Sequence, residues 1–192
     1  MKVFDFDNTI YDGESMVDFV YFMIDKKEKL KKYKGIVDKL AKLYEINLLS
    51  PSLIENVINK YKKDFDLSSN NITKYIDEFW ESNKKKIRKE MLDKIDKEDL
   101  IITAAPDILI DPVRKLLKTK NIYSSIVNIE KRELVFMCYK ENKAKKFKEL
   151  YGDKQIDELY TDSYADKPLM KLSKKVYLID KKAKEIKLIK GE

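Results

Sequence analysis

The sequence predicts an α/β fold, in which a doubly wound, mainly parallel sheet carries a small all-helical domain inserted after its first strand. Two observations carry this prediction. From residue 99 onward, short apolar runs of strand length alternate with helical segments, as in parallel sheets covered by helices. Between residues 15 and 95, apolar residues instead recur at helical spacing. We therefore predict a core of residues 1–12 and 98–192 and a helical domain of residues 13–97.

The core elements follow from apolar runs and the residues that interrupt them. Residues 1–4 predict the first strand, and residues 99–103 predict a buried parallel strand. A turn at 104–107 then leads into a helix of residues 108–118, unless Pro112 delays its start. The remaining predicted elements are strands at 125–129, 134–137 and 156–160, a helix at 141–150, and a C-terminal pair of strands at 176–179 and 186–189.

The helical domain has two recognisable helix starts. Ser50 and Pro51 predict one start, with Ser50 as the cap and Pro51 in the first turn. A further helix is predicted to begin near residues 70–71 and to continue into the basic run 84–89, which we interpret as a solvated helix face. We interpret the aromatic residues of this region as its core rather than as a substrate platform; they are Tyr11, Phe19, Tyr21, Phe22, Phe79 and Trp80.

Length and composition favour one folded domain, or a core with a modest insertion, and the basic charge does not by itself indicate a nucleic-acid binder. The chain has 192 residues, of which 43% are hydrophobic and 39% charged, and its formal charge is +7. Residues 167–192 hold nine lysines against three acids, so the positive charge is concentrated there. Because the whole chain has only three arginines, a solvated lysine surface or the steering of anionic substrates is the preferred interpretation. We expect no nucleic-acid partner.

Three scarcities narrow the chemistry. The absence of histidine excludes a Ser-His-Asp triad, a His-ligated zinc and an imidazole base. Cys138 is the only cysteine, so neither an intrachain disulfide nor a thiolate metal cage can form. Four glycines in total do not make a phosphate-binding glycine loop. Catalysis must therefore use carboxylates, lysines, hydroxyls and a hard metal ion.

The sequence carries neither a secretory signal nor a run long enough to span a membrane. Acidic residues arrive by Asp5, which is incompatible with the apolar segment of a signal peptide. No uninterrupted apolar run reaches membrane-spanning length. We therefore expect a cytoplasmic protein.

Polar side chains recur where the predicted strands end, and the carboxyl ends of parallel strands meet at one edge of a sheet. They are Asp5 and Asp7 after the first strand, Thr103 after the second, Asp162 and Asp166 after a later one, and Lys143 near the start of the helix at 141–150. A lone Asp-x-Asp is most often a solvated turn. Carboxylates with a lysine and a hydroxyl, however, are what Mg²⁺-assisted phosphoryl transfer through an aspartyl-phosphate needs.

Four motifs, in order along the chain, resemble those of the haloacid dehalogenase-like (HAD) phosphatase superfamily. Residues 5–9, DFDNT, resemble its first motif, and residues 101–106, IITAAP, resemble the second motif of the phosphoserine-phosphatase-like branch. Residues 138–143, CYKENK, resemble that branch's Cys-x-Gly-x-x-Lys motif, and residues 162–169, DSYADKPL, resemble the fourth. The helical stretch falls where this branch carries its cap. The resemblance thus implies a Rossmann-like core with a helical cap.

The resemblance also implies roles. Asp5 is expected to be the nucleophile and a Mg²⁺ ligand, and Asp7 to be the general acid and base, with its backbone carbonyl on the metal. Asp162 is expected to be the third protein ligand, with Asp166 in direct contact with the ion or just behind it. An acid at position 7 separates phosphatases from dehalogenases, which cleave carbon–halogen bonds without it. We therefore expect a Mg²⁺-dependent hydrolase of a small-molecule phosphate ester.

Substrate contacts are predicted less directly. Thr103 and Lys143 are expected to hold the phosphoryl group, and Thr9 and Ala104 are counted among the substrate-binding residues. Glu14 matches a glutamate that phosphoserine phosphatases place near the substrate's amino group, although an acid at a helix N-terminus also complements the helix dipole.

A phosphoserine site also needs an arginine that binds the carboxylate of the substrate. Arg88 is the helical domain's only arginine, so it is the candidate. Because it is embedded in a lysine run and not obviously aimed inward, we place phosphoserine below an unspecified phosphomonoester. An amphiphilic phosphate such as a phospholipid is a weaker option.

Two positions depart from the family pattern. Lys140 stands where the third motif usually has glycine, which implies a different local backbone and leaves Lys145 and Lys146 as competitors of Lys143. Asn8 replaces a common glycine, a tolerated variation.

Two other functions remain open from sequence. A phosphotransferase or mutase would use the same residues but pass the phosphoryl group to an alcohol instead of water. The second alternative is a catalytically silent basic module that binds nucleic acid through its C-terminal lysines. It would give the acidic residues at the strand ends no function. The oligomeric state is not predicted.

Overall fold

A seven-stranded sheet forms the centre of the molecule in the computed structural model. The structure describes residues 1–45, 48, 50, 53, 56, 60, 69–131 and 133–191. The strands are β1 (Lys2–Phe4), β2 (Leu100–Pro106), β3 (Asn121–Asn128), β4 (Glu133–Phe136), β5 (Ile156–Thr161), β6 (Ser173–Ile179) and β7 (Ile186–Lys190). They lie in the order β4-β3-β2-β1-β5-β6-β7, and only the edge strands β4 and β7 pair antiparallel. This confirms the prediction of a mainly parallel α/β sheet.

β1 occupies the middle of the sheet, which determines where the site forms. It pairs in parallel with β2 on one side and with β5 on the other. The chain therefore winds away from β1 in both directions, and a crevice opens beyond the carboxyl end of such a strand. Stacked rings of Phe4, Tyr160 and Tyr177 cross β1, β5 and β6, with 4.7 Å between successive ring centroids. These rings hold the three strands in register.

Helices account for most of the remaining described structure. The α-helices are α1 (Ser15–Lys26), α2 (Lys34–Glu45), α3 (Ser69–Asn83), α4 (Lys89–Leu92), α5 (Asp107–Ile110), α6 (Glu141–Tyr151) and α7 (Lys167–Lys171). Short 3₁₀ segments are Glu28–Tyr33, Lys84–Lys86, Asp111–Leu116 and Tyr164–Asp166. Among the described residues, none of these helices is long and apolar enough to cross a bilayer.

Two hydrophobic clusters cover the two faces of the sheet. One contains Phe147 and Leu169 from α6 and α7, packed with strand residues such as Val3. The other joins Phe4 to residues of α1 and α3, including Phe19 and the ring of Trp80, whose indole N–H donates to the Leu109 carbonyl at 2.8 Å. The described helices between residues 13 and 97 thus share a core with the sheet, and the aromatic residues predicted to be core are in it or packed against it. The division into a core and a cap stays a prediction.

Several predicted boundaries differ from the structure; β3, for example, begins at Asn121 instead of residue 125, and β6 at Ser173 instead of residue 176. β2 continues to Pro106 through a register shift, where a turn at 104–107 was predicted. The helix predicted at 108–118 begins at Asp107 and changes to a 3₁₀ helix at Asp111, because Pro112 has no N–H to continue the α-helical pattern. The basic run 84–89 does not continue α3 as one helix.

The helix predicted to begin at Ser50 and Pro51 lies mostly outside the described residues. Of its start, the Ser50 hydroxyl accepts a hydrogen bond from the Leu53 N–H at 3.2 Å. This is the bond that a capping serine makes.

Candidate active site

The predicted acidic pair lies at the carboxyl end of β1. The Asp5 N–H donates to the Tyr160 carbonyl at 2.9 Å, which extends the β1–β5 pairing by one residue. The chain then turns sharply, since the Phe6 carbonyl accepts hydrogen bonds from the N–H groups of Ile10 and Tyr11, each at 2.8 Å. Asp5 and Asp7 are only 8% and 7% exposed. The turn therefore brings both carboxylates to the same crevice.

A buried ion-pair cluster surrounds Asp5. The ammonium of Lys143, at the start of α6, lies 3.0 Å from Asp5 Oδ1 and 3.0 Å from Asp166 Oδ2. The hydroxyl of Thr161 donates to Asp166 Oδ2 at 2.8 Å. The Phe6 N–H donates to Asp5 Oδ1 at 2.8 Å, so the contacts of Asp5 within the described residues fall on one oxygen. Its Oδ2 remains for a ligand.

Burial dominates the electrostatics of this cluster. Burial raises the pKa of Asp5, although the neighbouring Lys143 ammonium opposes the shift. For Lys143, burial lowers the pKa, but the carboxylates of Asp166 and Asp5 outweigh burial and raise it above its usual value. Lys143 is thus held as a cation next to the proposed nucleophile, where it can stabilise added negative charge.

Asp7 is positioned by the start of α1. Its Oδ1 accepts a hydrogen bond from the Ser15 N–H at 2.8 Å. Burial raises the pKa of Asp7 to about 6, while the hydrogen bond from the Ser15 N–H opposes the shift. A carboxyl group with a pKa near neutrality exchanges protons efficiently at physiological pH. Asp7 therefore suits the predicted acid–base role.

The backbone before Lys143 adopts a conformation at position 140 that is unusual for a lysine. Lys140 has φ 50° and ψ −122°, and the Asn142 N–H donates to the Tyr139 carbonyl at 3.1 Å. These are features of a type II′ turn, whose second residue is normally glycine. Asn8, the other departure from the family pattern, also has a positive φ, of 52°. The lysine therefore keeps the turn that glycine favours, and Lys143 still enters the site.

A pocket partly open to solvent joins these residues. Its lining includes seven of the predicted site residues, namely Asp5, Asp7, Glu14, Ala104, Lys143, Asp162 and Asp166. The remaining lining residues are Tyr139, Ser163, Ala165 and Lys181. Glu14 has a raised pKa, about 9, caused first by burial and then by Asp7. It therefore belongs to the pocket as well as to the N-terminus of α1.

Three predicted site residues lie elsewhere. Thr103 is fully buried, and its hydroxyl accepts a hydrogen bond from the Ala105 N–H at 3.0 Å. Thr9 is also fully buried, and its hydroxyl has no hydrogen-bond partner among the described residues. Arg88 pairs with Asp12 at 3.2 Å instead of facing the pocket. The structure does not bring these three side chains to the pocket lining, and their predicted contacts with a substrate stay predictions.

Lys181 is a basic residue of this acidic pocket that was not predicted from the sequence. Its ammonium lies 2.8 Å from Asp162 Oδ2 and 3.4 Å from Glu14 Oε1. It follows β6, the strand beside β5, so the rule that sites gather at the carboxyl ends of parallel strands pointed to it.

The donor set fits a hard divalent cation. Carboxylate oxygens of Asp5, Asp7 and Asp162 border one pocket, and oxygen ligands are what Mg²⁺ prefers. In the arrangement that the structure describes, however, no three acidic side chains in residues 1–45, 69–131 and 133–191 converge as a metal cluster. The ammonium groups of Lys143 and Lys181 lie against these acids. Metal ligation therefore stays a prediction.

The chain is similar to known proteins in its sequence pattern and in its fold. A family model described as haloacid dehalogenase-like hydrolase matches residues 3–171. None of the curated proteins matches the chain significantly. A protein of unknown function from Bordetella pertussis Tohama I is similar in structure, with a TM-score of 0.69, 14% identity, and coverage of 89% of this chain and 85% of that chain.

Two further solved structures are similar. A DsGPDH structure from Dunaliella salina has a TM-score of 0.56 at 18% identity, and the match covers 91% of this chain and 30% of that chain. A phosphoserine phosphohydrolase-like protein from Francisella tularensis has a TM-score of 0.45 at 20% identity, with coverage of 92% of this chain and 86% of that chain. At 18% identity, the likeness to the DsGPDH structure extends to the fold alone.

Proposed function

Because the chain belongs to the haloacid dehalogenase-like hydrolase family, we propose that it is a Mg²⁺-dependent phosphatase of small phosphate monoesters. The observation that carries this proposal is the buried Asp5–Lys143–Asp166 cluster, which opens into the same pocket as Asp7. A nucleophile, a fixed cation and a separate proton carrier are the groups that phosphoryl transfer through a covalent intermediate requires.

The first half-reaction forms an aspartyl-phosphate. Lys143 and the Phe6 N–H hold Asp5 Oδ1, so Oδ2 is the oxygen that attacks phosphorus. A bond forms between Oδ2 and phosphorus as the bond to the leaving oxygen breaks. Asp7 gives its proton to that oxygen, which leaves as an alcohol.

The second half-reaction regenerates the enzyme. Asp7, now ionised, takes a proton from water, and the water oxygen attacks phosphorus. The bond between Asp5 and phosphorus breaks, which releases inorganic phosphate and restores the free carboxylate. The Ser15 N–H keeps Asp7 oriented in both steps.

Asp5, Asp7 and Asp162 would hold the divalent cation, with Asp166 beside them. When bound, Mg²⁺ supplies positive charge that neutralises the phosphate oxygens. Lys143 contributes the permanent part of this charge, because Asp5 and Asp166 keep it protonated. Asp166 in turn positions Lys143, with the help of the Thr161 hydroxyl.

The test is hydrolysis of p-nitrophenyl phosphate by the purified protein. We expect turnover that EDTA abolishes and added Mg²⁺ restores, and a loss of at least about 10³-fold in kcat for Asp5→Asn, since no other group can form the intermediate. Asp153→Asn, at an exposed acid outside the site, is the matched control. Activity that is indifferent to EDTA or to Asp5→Asn would contradict the proposal. Faster transfer of phosphate to added glycerol than to water would identify a phosphotransferase instead.

A further inference from the structure

Lys181 enters the pocket from a turn whose shape is fixed. The Asp180 carboxylate accepts hydrogen bonds from the N–H groups of Lys182 and Ala183, each at 2.9 Å. The Asp180 N–H also donates to the Glu185 carbonyl at 2.9 Å, and the Lys184 ammonium pairs with Asp12. The turn between β6 and β7 is therefore anchored both internally and to the segment that leads into α1.

The two pocket lysines differ in how a ligand can reach them. The Lys143 side chain is 2% exposed and lies between Asp5 and Asp166, whereas the Lys181 side chain is 35% exposed. A lysine ammonium has three N–H donors. Asp162 and Glu14 account for two of those of Lys181, which leaves one for a ligand that enters from solvent.

The remaining N–H donor of Lys181 matters because most of the charged side chains in the pocket are acidic. Five acidic side chains line the pocket but only two basic ones, so few groups of the pocket can attract an anionic part of a substrate. Arg88, the predicted partner of a substrate carboxylate, instead faces Asp12. Among the pocket residues that the structure describes, Lys181 is the basic group that solvent reaches.

We propose that Lys181 is a specificity-determining residue, whose ammonium binds an anionic group, such as a carboxylate, on the alcohol portion of the phosphate ester. The proposal rests on the proposed function for its substrate class. It assigns recognition of the leaving group to the β6–β7 turn rather than to the helical domain.

The test uses two esters that differ at one group. In 3-phosphoglycerate a carboxylate replaces the hydroxymethyl group of glycerol 3-phosphate. We expect Lys181→Met to lower kcat/KM for 3-phosphoglycerate by roughly tenfold or more, chiefly through KM, because a hydrogen bond between charged groups is lost. The value for glycerol 3-phosphate should change less than about threefold. Lys182→Met, at the exposed neighbouring lysine, is the matched control.

Calorimetry tests binding by Lys181 independently of whether the protein hydrolyses the ester. The Asp5→Asn protein is titrated with each ester, with and without Lys181→Met. Tighter binding of 3-phosphoglycerate that Lys181→Met removes supports the role of Lys181 even if the parent protein hydrolyses neither ester. Equal binding of both esters, absence of binding of 3-phosphoglycerate, or an equal loss for both esters in Lys181→Met overturns it.

Discussion

The inner end and the rim of the pocket use the same chemistry in different surroundings. At the inner end, Lys143 bridges Asp5 and Asp166 with all three side chains at most 11% exposed. At the rim, Lys181 bridges Asp162 and Glu14, but its own side chain is 35% exposed. Water screens the second cluster and not the first. The inner cluster is therefore suited to fixed catalytic electrostatics, and the rim to exchange with a ligand.

The largest effect is expected for Lys143→Met, which tests whether the inner cluster differs from the rim. The substitution leaves two buried carboxylates without their cation, which costs about 3–5 kcal/mol in the free energy of unfolding. We also expect p-nitrophenyl phosphate turnover to disappear. Urea denaturation and initial rates measure the two effects. Lys145→Met, on the same helix, is the control, and a loss below about 1 kcal/mol would show that the inner cluster is screened like a surface pair.

A second prediction concerns the pH dependence of stability in EDTA. Burial raises the pKa of Asp7 from 3.8 to about 6, so protonated Asp7 favours the fold and its stabilisation is lost as the pH rises through 6. Asp7→Asn removes this loss and keeps an oxygen for the Ser15 N–H. We expect the variant's advantage in unfolding free energy to grow by about 2 kcal/mol between pH 4 and pH 7.

Thermal or urea unfolding at several pH values measures this advantage. Asp153→Asn, at an exposed site, provides the baseline. A difference between Asp7→Asn and the parent that stays constant with pH would mean that Asp7 does not carry a raised pKa.

The rim should respond less than the inner end. Lys181→Met leaves the Asp162 carboxylate, whose side chain is 4% exposed, without its cation, but water reaches the rim. We expect a loss of about 1–1.5 kcal/mol, measured in EDTA by urea denaturation. A loss as large as that of Lys143→Met would erase the distinction between the two clusters.

The smallest effect is expected at the turn that delivers Lys143. Lys140→Gly relieves the positive φ of 50°, which offsets the extra freedom that glycine gives the unfolded chain. We expect the free energy of unfolding to rise by about 1 kcal/mol, with kcat unchanged. Lys140→Ala keeps the strain and should give no such gain. A lower free energy of unfolding for Lys140→Gly would show that the lysine side chain stabilises the fold by more than the positive φ destabilises it.

Much of the fold was predictable because the signals are local. Apolar runs mark the strands, and the alternation of strands and helices implies parallel pairing. Pro112 illustrates the limit, because it was expected to delay the start of the helix, whereas the helix begins at Asp107 and Pro112 lies where it becomes a 3₁₀ helix. β2 also continues into the predicted turn, as far as Pro106, since pairing with β3 at Ser125 sustains it. Such pairing is a tertiary interaction that no window of sequence contains.

The sequence by itself determined the chemistry available to this protein. Without histidine and with one cysteine, it leaves carboxylates and lysines, and the order of Asp5, Thr103, Lys143 and Asp162 indicates the family. Only the tertiary structure decided which of these groups meet. It buries Lys143 between two acids, turns Arg88 towards Asp12, and brings Lys181 against Asp162 from a distant turn. The reason is that charge and burial depend on neighbours through space, whereas a motif records only neighbours along the chain.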